Sequence, residues 1–219
     1  MLKKFSIGLI LFWGVVQVSA QKDSIYITAK LSSDKKILEI NQQVVYYNHS
    51  EKSLDSIKLL NWVAAYNKRG TSLVYRKLED RNNSLHFAKP HELGKVLDLK
   101  INSAENQLSV SNLSEENLFL ALHQSLKAGE SIKLQLQYQI QLPDKKFTGY
   151  GTSENNIALK YFFIVPDHFD PDNISKRSYN DIEESVNFNT HWTVNFNIPN
   201  NYFIESNLQK TKDNSFIGY

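Results

Sequence analysis

The sequence has 219 residues, a formal net charge of +2 and no cysteine. The absence of cysteine excludes disulfides, thiol catalysis and cysteine metal sites, and the near balance of charge argues against a nucleic-acid partner, which needs clustered cations. With 41% hydrophobic and 12% aromatic residues, the chain has enough apolar side chains to form a core without disulfides.

The first twenty residues have the three parts of a secretory signal peptide. Two lysines precede an apolar run over residues 5–16, and Val18-Ser19-Ala20 supplies the small residues that signal peptidase recognises. We expect cleavage between Ala20 and Gln21, which leaves one exported domain, residues 21–219, in the periplasm or outside the cell. The run is shorter than the ~20 residues of a spanning helix, so no membrane span is expected after cleavage. An uncleaved anchor is the alternative.

Alternation of apolar and polar residues predicts a mainly β protein that begins as an antiparallel meander. The predicted strands are residues 24–31, 37–48, 54–60, 96–101, 107–110, 132–140 and 191–198. The polar triplet Asn41-Gln42-Gln43 interrupts the second strand, where we expect a β-bulge. Near the end of the chain, Pro199-Asn200-Asn201 predicts a turn, and Tyr202-Phe203-Ile204 predicts a further extended run.

Residues 62–90 differ from the rest and predict a short helical excursion between strands. Thr71 or Ser72 is a suitable N-cap, and Arg76 and Asp80 have the i,i+4 spacing of a helical ion pair. We expect this segment to cap the surface of the sheet. A partner-binding helix is the alternative.

Candidate metal ligands do not form a recognisable motif. His91-Glu92 begins like the zinc motif His-Glu-x-x-His, but Lys95 occupies the position of the second ligand, and a cation does not coordinate zinc. The six histidines include no pair at metal-ligand spacing. The segment Asp167–Asp172 gathers three carboxylates around His168 without the spacing of a calcium loop, so we expect a solvated acidic loop. No metal or cofactor site is therefore assigned.

Two aromatic or glycine-rich stretches have alternative interpretations. Gly149-Tyr150-Gly151 indicates a backbone bend rather than a phosphate cradle. Tyr161-Phe162-Phe163 is a possible stacking platform for a sugar, but we expect core packing, because about half of such a run points inward on a strand. No catalytic residue is assigned.

Five segments together resemble the amino-terminal domain of the M1 (gluzincin, aminopeptidase N-like) metallopeptidases, especially exported members from Bacteroidetes-type bacteria. The segments are residues 37–48 ending in Tyr-Tyr-Asn, LNWVAAYNKRG with SLHFAKPHELG, LPDKKFTGYG, the aromatic run ending in Val165-Pro166, and WTVNFNIPNNYFIESNL. They span almost all of residues 24–210.

The resemblance implies a saddle-like antiparallel β-sandwich that lies over a zinc-binding catalytic domain and helps to confine peptide substrates. Zinc and its ligands would belong to that catalytic domain, whose His-Glu-x-x-His motif this sequence lacks. No Gln occurs between Gly151 and Pro166, and Glu154 lies in no recognisable motif, so the family's amine-binding residue is not assigned. The chain by itself is expected to be non-catalytic.

The last residues suggest interrupted structure, because Phe216, Ile217 and Tyr219 are apolar and end the sequence. We therefore expect a fragment of a longer protein, with the apolar side chains of residues 210–219 unusually exposed. The alternative is a stand-alone exported module that binds a glycan, a peptide or a protein partner.

Overall fold

A computed structural model describes residues 22–34, 36–112, 116–167 and 190–218, and within these ranges the chain is mainly β. The strands are β1 (Ser24–Leu31), β2 (Ile37–Tyr47), β3 (Leu54–Asn61), β4 (Lys95–Asn102), β5 (Leu108–Asn112), β6 (Asn117–Leu126), β7 (Ser131–Gln141), β8 (Gly151–Thr152), β9 (Ile157–Ala158), β10 (Ile164–Pro166), β11 (His191–Asn197), β12 (Gln209–Lys212) and β13 (Ser215–Gly218). The helical elements are the 3₁₀ helix Trp62–Tyr66, the α-helix α1 (Ser72–Glu79) and the 3₁₀ helix Pro90–Glu92.

The strands form two main sheets and a small ribbon. Sheet A has the order β12-β13-β11-β1-β2-β7-β4, and sheet B has the order β10-β3-β6-β5, while β8 pairs with β9. Most pairs are antiparallel, but β1 and β11 run parallel, from Ser24 beside His191 to Lys30 beside Asn197. The result is a sandwich-like fold with one mixed sheet.

The predicted meander is correct for β1 and β2 and wrong for β3, which joins the other sheet. The neighbour of β2 is instead β7, and the two pair without interruption from Ile37 beside Gln141 to Tyr47 beside Ser131. Both strands have 11 residues with matching alternation. Pairing with β7 therefore satisfies the backbone groups along the whole length of β2, which the eight-residue β3 is too short to do.

The predicted β-bulge at Asn41–Gln43 is also wrong, because β2 keeps a continuous register with both neighbours. Gln42 lies on the inward face of β2 with 2% exposure. Its Nε2 donates to the carbonyl of Ile164 at 2.5 Å, and its Oε1 accepts from the Tyr138 hydroxyl at 2.6 Å. The Ile164 N–H in turn donates to the Tyr138 oxygen at 3.3 Å. This closed triangle joins β2 and β7 of sheet A to β10 of sheet B.

The core lies between the sheets and draws on both. Ile27 and Ile40 of sheet A and Leu59 and Leu120 of sheet B are almost fully buried and belong to one hydrophobic cluster. The opposite face of β7 carries Lys and Gln residues, so its alternation gives one apolar and one polar face, as predicted.

The helical excursion agrees with its sequence prediction. Thr71 is the N-cap of α1: its Oγ1 accepts from the Val74 N–H at 3.4 Å and its hydroxyl donates to the Ala65 carbonyl at 2.6 Å. Arg76 and Asp80 form the predicted ion pair at 2.8 Å. The helix is thus fixed at its first turn by a buried side chain.

Replacing Thr71 with alanine is expected to lower the free energy of unfolding by about 1–2 kcal/mol, since the helix loses its cap and the Ala65 carbonyl loses a buried donor. Urea denaturation followed by circular dichroism measures the loss. Ser72→Ala, one residue further along and not the cap, is the control and should change stability by less than about 0.5 kcal/mol. Equal losses in the two variants would contradict the assignment of Thr71.

The expected exposure of apolar side chains near the end of the sequence is wrong for Phe216. This side chain is 2% exposed and packs beside Phe196. The reason is that β13 is an inner strand of sheet A, with β11 on one side and β12 on the other. Ile217 is half-buried, and Tyr219 lies outside the described residues.

Candidate functional site

A cleft of about 950 Å³ opens beside β11. Eight aromatic side chains line it, and we call it the aromatic cleft: Trp62, Tyr161, Phe162, Phe163, Trp192, Phe196, Tyr202 and Phe203. Its volume falls within the roughly 300–1,000 Å³ that is usual for ligand sites.

The first wall of the cleft is β11. Trp192, Val194 and Phe196 share one face of this strand, as the alternation predicts. Val194 is buried at 1% exposure, whereas Trp192 and Phe196 are only half-buried and contribute their rings to the cleft. The sequence thus identifies the apolar face of β11, but it does not show that Trp192 and Phe196 are only half-buried.

The second wall is the segment between β9 and β10. Tyr161 has φ +52°, a left-handed conformation that is unusual for a bulky side chain. Phe162 is buried, while Tyr161 and Phe163 are half-buried and face the cleft, with the ring centre of Phe163 5.5 Å from that of Trp192. The core interpretation of this run is therefore correct for Phe162, and Tyr161 and Phe163 are partly buried side chains that pack against the core and also line the cleft.

The third wall is the segment that follows β11. The expected extended run at Tyr202–Ile204 is not a strand, since β11 already has β1 on one side and β13 on the other. A turn closed by the Tyr202 N–H and the Pro199 carbonyl at 3.0 Å leads into this segment, as predicted. Phe203 stands at the margin of the cleft with 80% exposure, the highest among the exposed large hydrophobic side chains of the described residues.

The rim of the cleft carries balanced charge. Among the described lining residues, the charged ones are Lys145, Lys160, Glu154 and Glu205. Lys145 donates to the Asn156 side chain at 2.7 Å, and the ammonium of Lys160 lies 5.1 Å from the ring centre of Tyr161. Two cations and two anions give the rim no net charge at neutral pH.

The glycine bend that precedes the second wall is confirmed. Gly149 and Gly151 have φ +80° and +117°, and a Cβ at Gly151 would lie 2.0 Å from the carbonyl oxygen of Pro143. Tyr150 between them is buried in the core. The bend therefore allows the backbone at Gly151 to lie in close contact with the backbone of Pro143.

The His91-Glu92 dipeptide does not have the helical geometry of the zinc motif. It ends the 3₁₀ helix Pro90–Glu92, and the Glu92 carboxylate accepts from the Lys89 N–H at 2.7 Å and from the Lys146 ammonium. Both contacts favour the ionised form, the lysine most strongly, and they lower the pKa of Glu92 to about 2. The Glu92 carboxylate thus helps to hold the loop 143–147 in place through Lys146.

Because the pKa of Glu92 is low, the free energy of unfolding should decrease in acid. The ordinary pKa of Glu92 is 4.5, so its contribution to stability is complete above pH 4.5 and disappears as the pH falls towards 2. Glu92→Gln should therefore lose less unfolding free energy than the wild type between these pH values, as measured by urea denaturation. The control is Glu51→Gln, at an exposed turn, whose unfolding free energy should change with pH as that of the wild type does. If the unfolding free energy of Glu92→Gln fell with pH as steeply as that of the wild type, this role of Glu92 would be contradicted.

The expectation of a solvated acidic loop is wrong at its first residue. Asp167 is 5% exposed, and its Oδ2 lies 3.0 Å from the ammonium of Lys58, which is itself buried in β3. The Asp167 N–H also donates to the Lys58 carbonyl at 2.9 Å. The charge is buried because the backbone of this segment continues the pairing of β10 with β3. His168, Asp170 and Asp172 lie outside the described residues.

Metal ligands do not converge in the part of the chain that the structure describes, where no group of three His, Asp or Glu side chains is placed to hold an ion. His49 instead contacts the buried Asp23 carboxylate at 3.0 Å. The predicted signal-peptide cleavage site, Ala20 and Gln21, lies outside the described residues. In the described ranges, no helix has the length and apolar character that crossing a bilayer requires.

Comparison with known proteins gives remote structural matches. No family model matches the sequence, and no curated protein matches it. An M1 zinc metallopeptidase from Deinococcus radiodurans aligns with 90% of this chain at 12% identity and a TM-score of 0.42. A mutant of that enzyme bound to a Tyr-Ser-Ala substrate gives 10% identity and a TM-score of 0.45. A two-domain M1 zinc metallopeptidase mutant bound to L-tryptophan gives 10% and 0.43.

The aligned region is 38–39% of those chains, so this chain spans about two fifths of their length.

Proposed function

We propose that this chain is the non-catalytic amino-terminal β domain of an exported zinc aminopeptidase. In this proposal, a catalytic domain outside these 219 residues carries the zinc and cleaves peptides. The β domain covers the catalytic cleft and restricts access to peptide amino termini. Its partners are that catalytic domain and the peptide substrate, and it acts in the periplasm or outside the cell.

One observation carries the proposal: segments that resemble the M1 amino-terminal domain meet at one place. The loop 142–151 supplies Lys145 to the aromatic cleft, the run ending in Val165-Pro166 supplies Phe163, and β11 with the segment after it supplies Trp192. Segments that are distant in sequence and that resemble the same family thus line one surface. This shared surface supports the proposal that the segments act together as one domain.

The non-catalytic part of the proposal rests on the sequence and on the place of Glu92. The only His-Glu dipeptide, His91-Glu92, is followed by Lys95 where a second histidine would be required. Its carboxylate is held by the Lys146 ammonium instead of facing open space for a metal-bound water. Zinc chemistry is therefore assigned to another domain.

A stand-alone binding module is the second candidate, and the exposed ring of Phe203 at the aromatic cleft favours it. Exposed aromatic side chains at a concave surface are typical of recognition sites. In this case the cleft would hold a glycan, a peptide or a protein partner without any peptidase.

The purified chain, supplied with zinc, tests the proposal in assays for metal content and for hydrolysis of aminoacyl-p-nitroanilides. We expect neither stoichiometric zinc nor hydrolysis, and finding both would overturn the non-catalytic assignment. Sequencing the downstream DNA distinguishes the two candidates. A continuing reading frame with His-Glu-x-x-His is expected for the first, and a stop codon with no such motif in a neighbouring frame would favour the second.

A further inference from the structure

Residues 67–91, which include the helix α1, carry an excess of positive charge. They contain six basic and two acidic side chains, which leaves 19 basic and 21 acidic residues in the rest of the chain. Both acids lie beside cations of the helix. Asp80 is 2.8 Å from Arg76 and 3.6 Å from Lys77, and Glu79 is 3.8 Å from Arg76. The formal positive charge of the protein is therefore concentrated in this segment.

Large apolar side chains are exposed in the same segment. Three of the six exposed large hydrophobic side chains among the described residues belong to it: Tyr75 at 61%, Leu78 at 36% and Phe87 at 65%. Tyr75 and Leu78 are three residues apart on α1 and share one face of the helix, whereas Leu73 and Val74 are buried in the core. Because burying such side chains is favourable, their exposure in one segment indicates an interaction surface.

Two contacts place these side chains on one continuous surface. The hydroxyl of Tyr75 lies over the turn at Gly70, 3.6 Å from the position that a Cβ would take there. The guanidinium of Arg69, in the same turn, donates to the Ala88 carbonyl at 3.3 Å, which fixes the residue after Phe87 beside that turn. We call the exposed apolar and cationic side chains of this surface the basic-aromatic patch: Lys68, Arg69, Tyr75, Leu78, Arg81, Phe87 and Lys89.

We propose that the basic-aromatic patch docks on the surface of an anionic lipid bilayer. The cations pair with lipid phosphates, and Tyr75, Leu78 and Phe87 enter the boundary between the headgroups and the acyl chains. Charge complementarity identifies this occupant, because anionic lipids present a negative surface above an apolar interior. A soluble polyanion would satisfy only the cations, and a neutral apolar partner would satisfy only the apolar side chains. This inference goes beyond the proposed function, which assigns no membrane contact to this chain.

Co-sedimentation with lipid vesicles measures the docking. The purified chain is incubated with vesicles of phosphatidylcholine alone and with vesicles of an equal mixture of phosphatidylcholine and phosphatidylglycerol, and the sedimented fraction gives the partition coefficient. We expect saturable binding to the mixed vesicles, about tenfold or more stronger than binding to phosphatidylcholine. Added salt should weaken this binding, since it screens the attraction.

Two double variants test the two parts of the patch. Tyr75→Ser with Phe87→Ala removes both rings and should weaken partitioning into the mixed vesicles about tenfold. Arg81→Asn with Lys89→Gln removes two cations and should weaken it roughly thirtyfold, because each cation near an anionic surface contributes separately. Asparagine is used at position 81 because Arg81 has φ +60°, a conformation that asparagine tolerates.

Matched controls remove the same chemical groups outside residues 67–91. Phe203→Ala removes an exposed ring, and Lys127→Gln with Lys133→Gln removes two exposed cations. Neither control should change partitioning by more than about twofold, because distant charges are screened. Residues 1–20 are the same in every variant, so they cannot cause a difference between variants. All the replaced side chains are exposed, and thermal melts verify that each variant is folded.

Heparin, a soluble polyanion, is titrated in parallel to distinguish a lipid surface from negative charge alone. No binding to the mixed vesicles, with or without binding of heparin, would overturn the proposal. Equal binding to both kinds of vesicle, unchanged partitioning after loss of the two rings, or equal effects of the patch and control variants would also overturn it. None of these results depends on whether the chain hydrolyses anilides.

Discussion

Replacing Lys58 with methionine is expected to lower the free energy of unfolding by about 3–5 kcal/mol, because it leaves a buried carboxylate without its nearby cation. The ammonium of Lys58 and Oδ2 of Asp167 lie 3.0 Å apart, with side-chain exposures of 8% and 1%. Water has little access to Asp167, which is 5% exposed, so the variant must bear the cost of a buried carboxylate that has lost this cation, or rearrange the end of β10. Urea denaturation of the two proteins measures the difference.

Two controls separate the charge effect from the loss of packing. In Lys58→Met combined with Asp167→Leu, neither charge remains, so the double variant should be more stable than Lys58→Met alone. Lys30→Met removes a lysine from a pair with Glu39 at 3.1 Å whose members are 56% and 43% exposed, and should cost no more than about 1 kcal/mol. A Lys58→Met variant that is no less stable than Lys30→Met would show that the buried pair contributes little.

Replacing Gln42 with leucine is expected to cost about 2–4 kcal/mol, although leucine is the more hydrophobic residue. The change removes the acceptor of the Tyr138 hydroxyl and the donor to the Ile164 carbonyl, and each buried polar group left unpaired costs roughly 1–3 kcal/mol. Burial also raises the pKa of Tyr138, so its hydroxyl stays protonated and available as a donor throughout the usual pH range.

Gln135→Leu is the matched control for this prediction. Gln135 lies on the exposed face of β7, where its side chain donates to that of Gln43 at 2.8 Å, and its replacement should change stability by less than about 0.5 kcal/mol. Combining Gln42→Leu with Tyr138→Phe should cost less than the sum of the single changes, since the two side chains share one network. Additive costs would show that the triangle does not act as a unit.

Local alternation predicted seven of the thirteen described strands but not the partners of these strands. β1, β2 and β7 show clear period-2 patterns, and their buried faces agree with the sequence. Gln42 is a polar residue on the apolar face of β2, and the sequence therefore favoured a bulge there. The two groups that bind its side-chain amide lie in β7 and β10. Nothing near Gln42 in sequence reveals those partners.

The candidate site was predictable only in its parts. The apolar face of β11 was evident from Trp192, Val194 and Phe196, whereas the cleft requires the left-handed turn at Tyr161 and a third wall without strand pairing. A backbone conformation that is unusual for tyrosine leaves no clear sequence signal. Asp167 was mistaken for a solvated residue for a similar reason, because its cation, Lys58, is distant in sequence.

The parallel pair of β1 and β11 has a consequence for the kinetics of folding. β1 lies inside sheet A, but one of its two neighbours comes from near the other end of the described chain. Synthesis delivers β1 long before β11, so one edge of β1 remains unpaired while most of the polypeptide emerges. Contacts between such distant segments form slowly and expose strand edges to aggregation in the meantime. We therefore expect the closure of sheet A to limit the folding rate and to be the step at which a holding chaperone would be most effective.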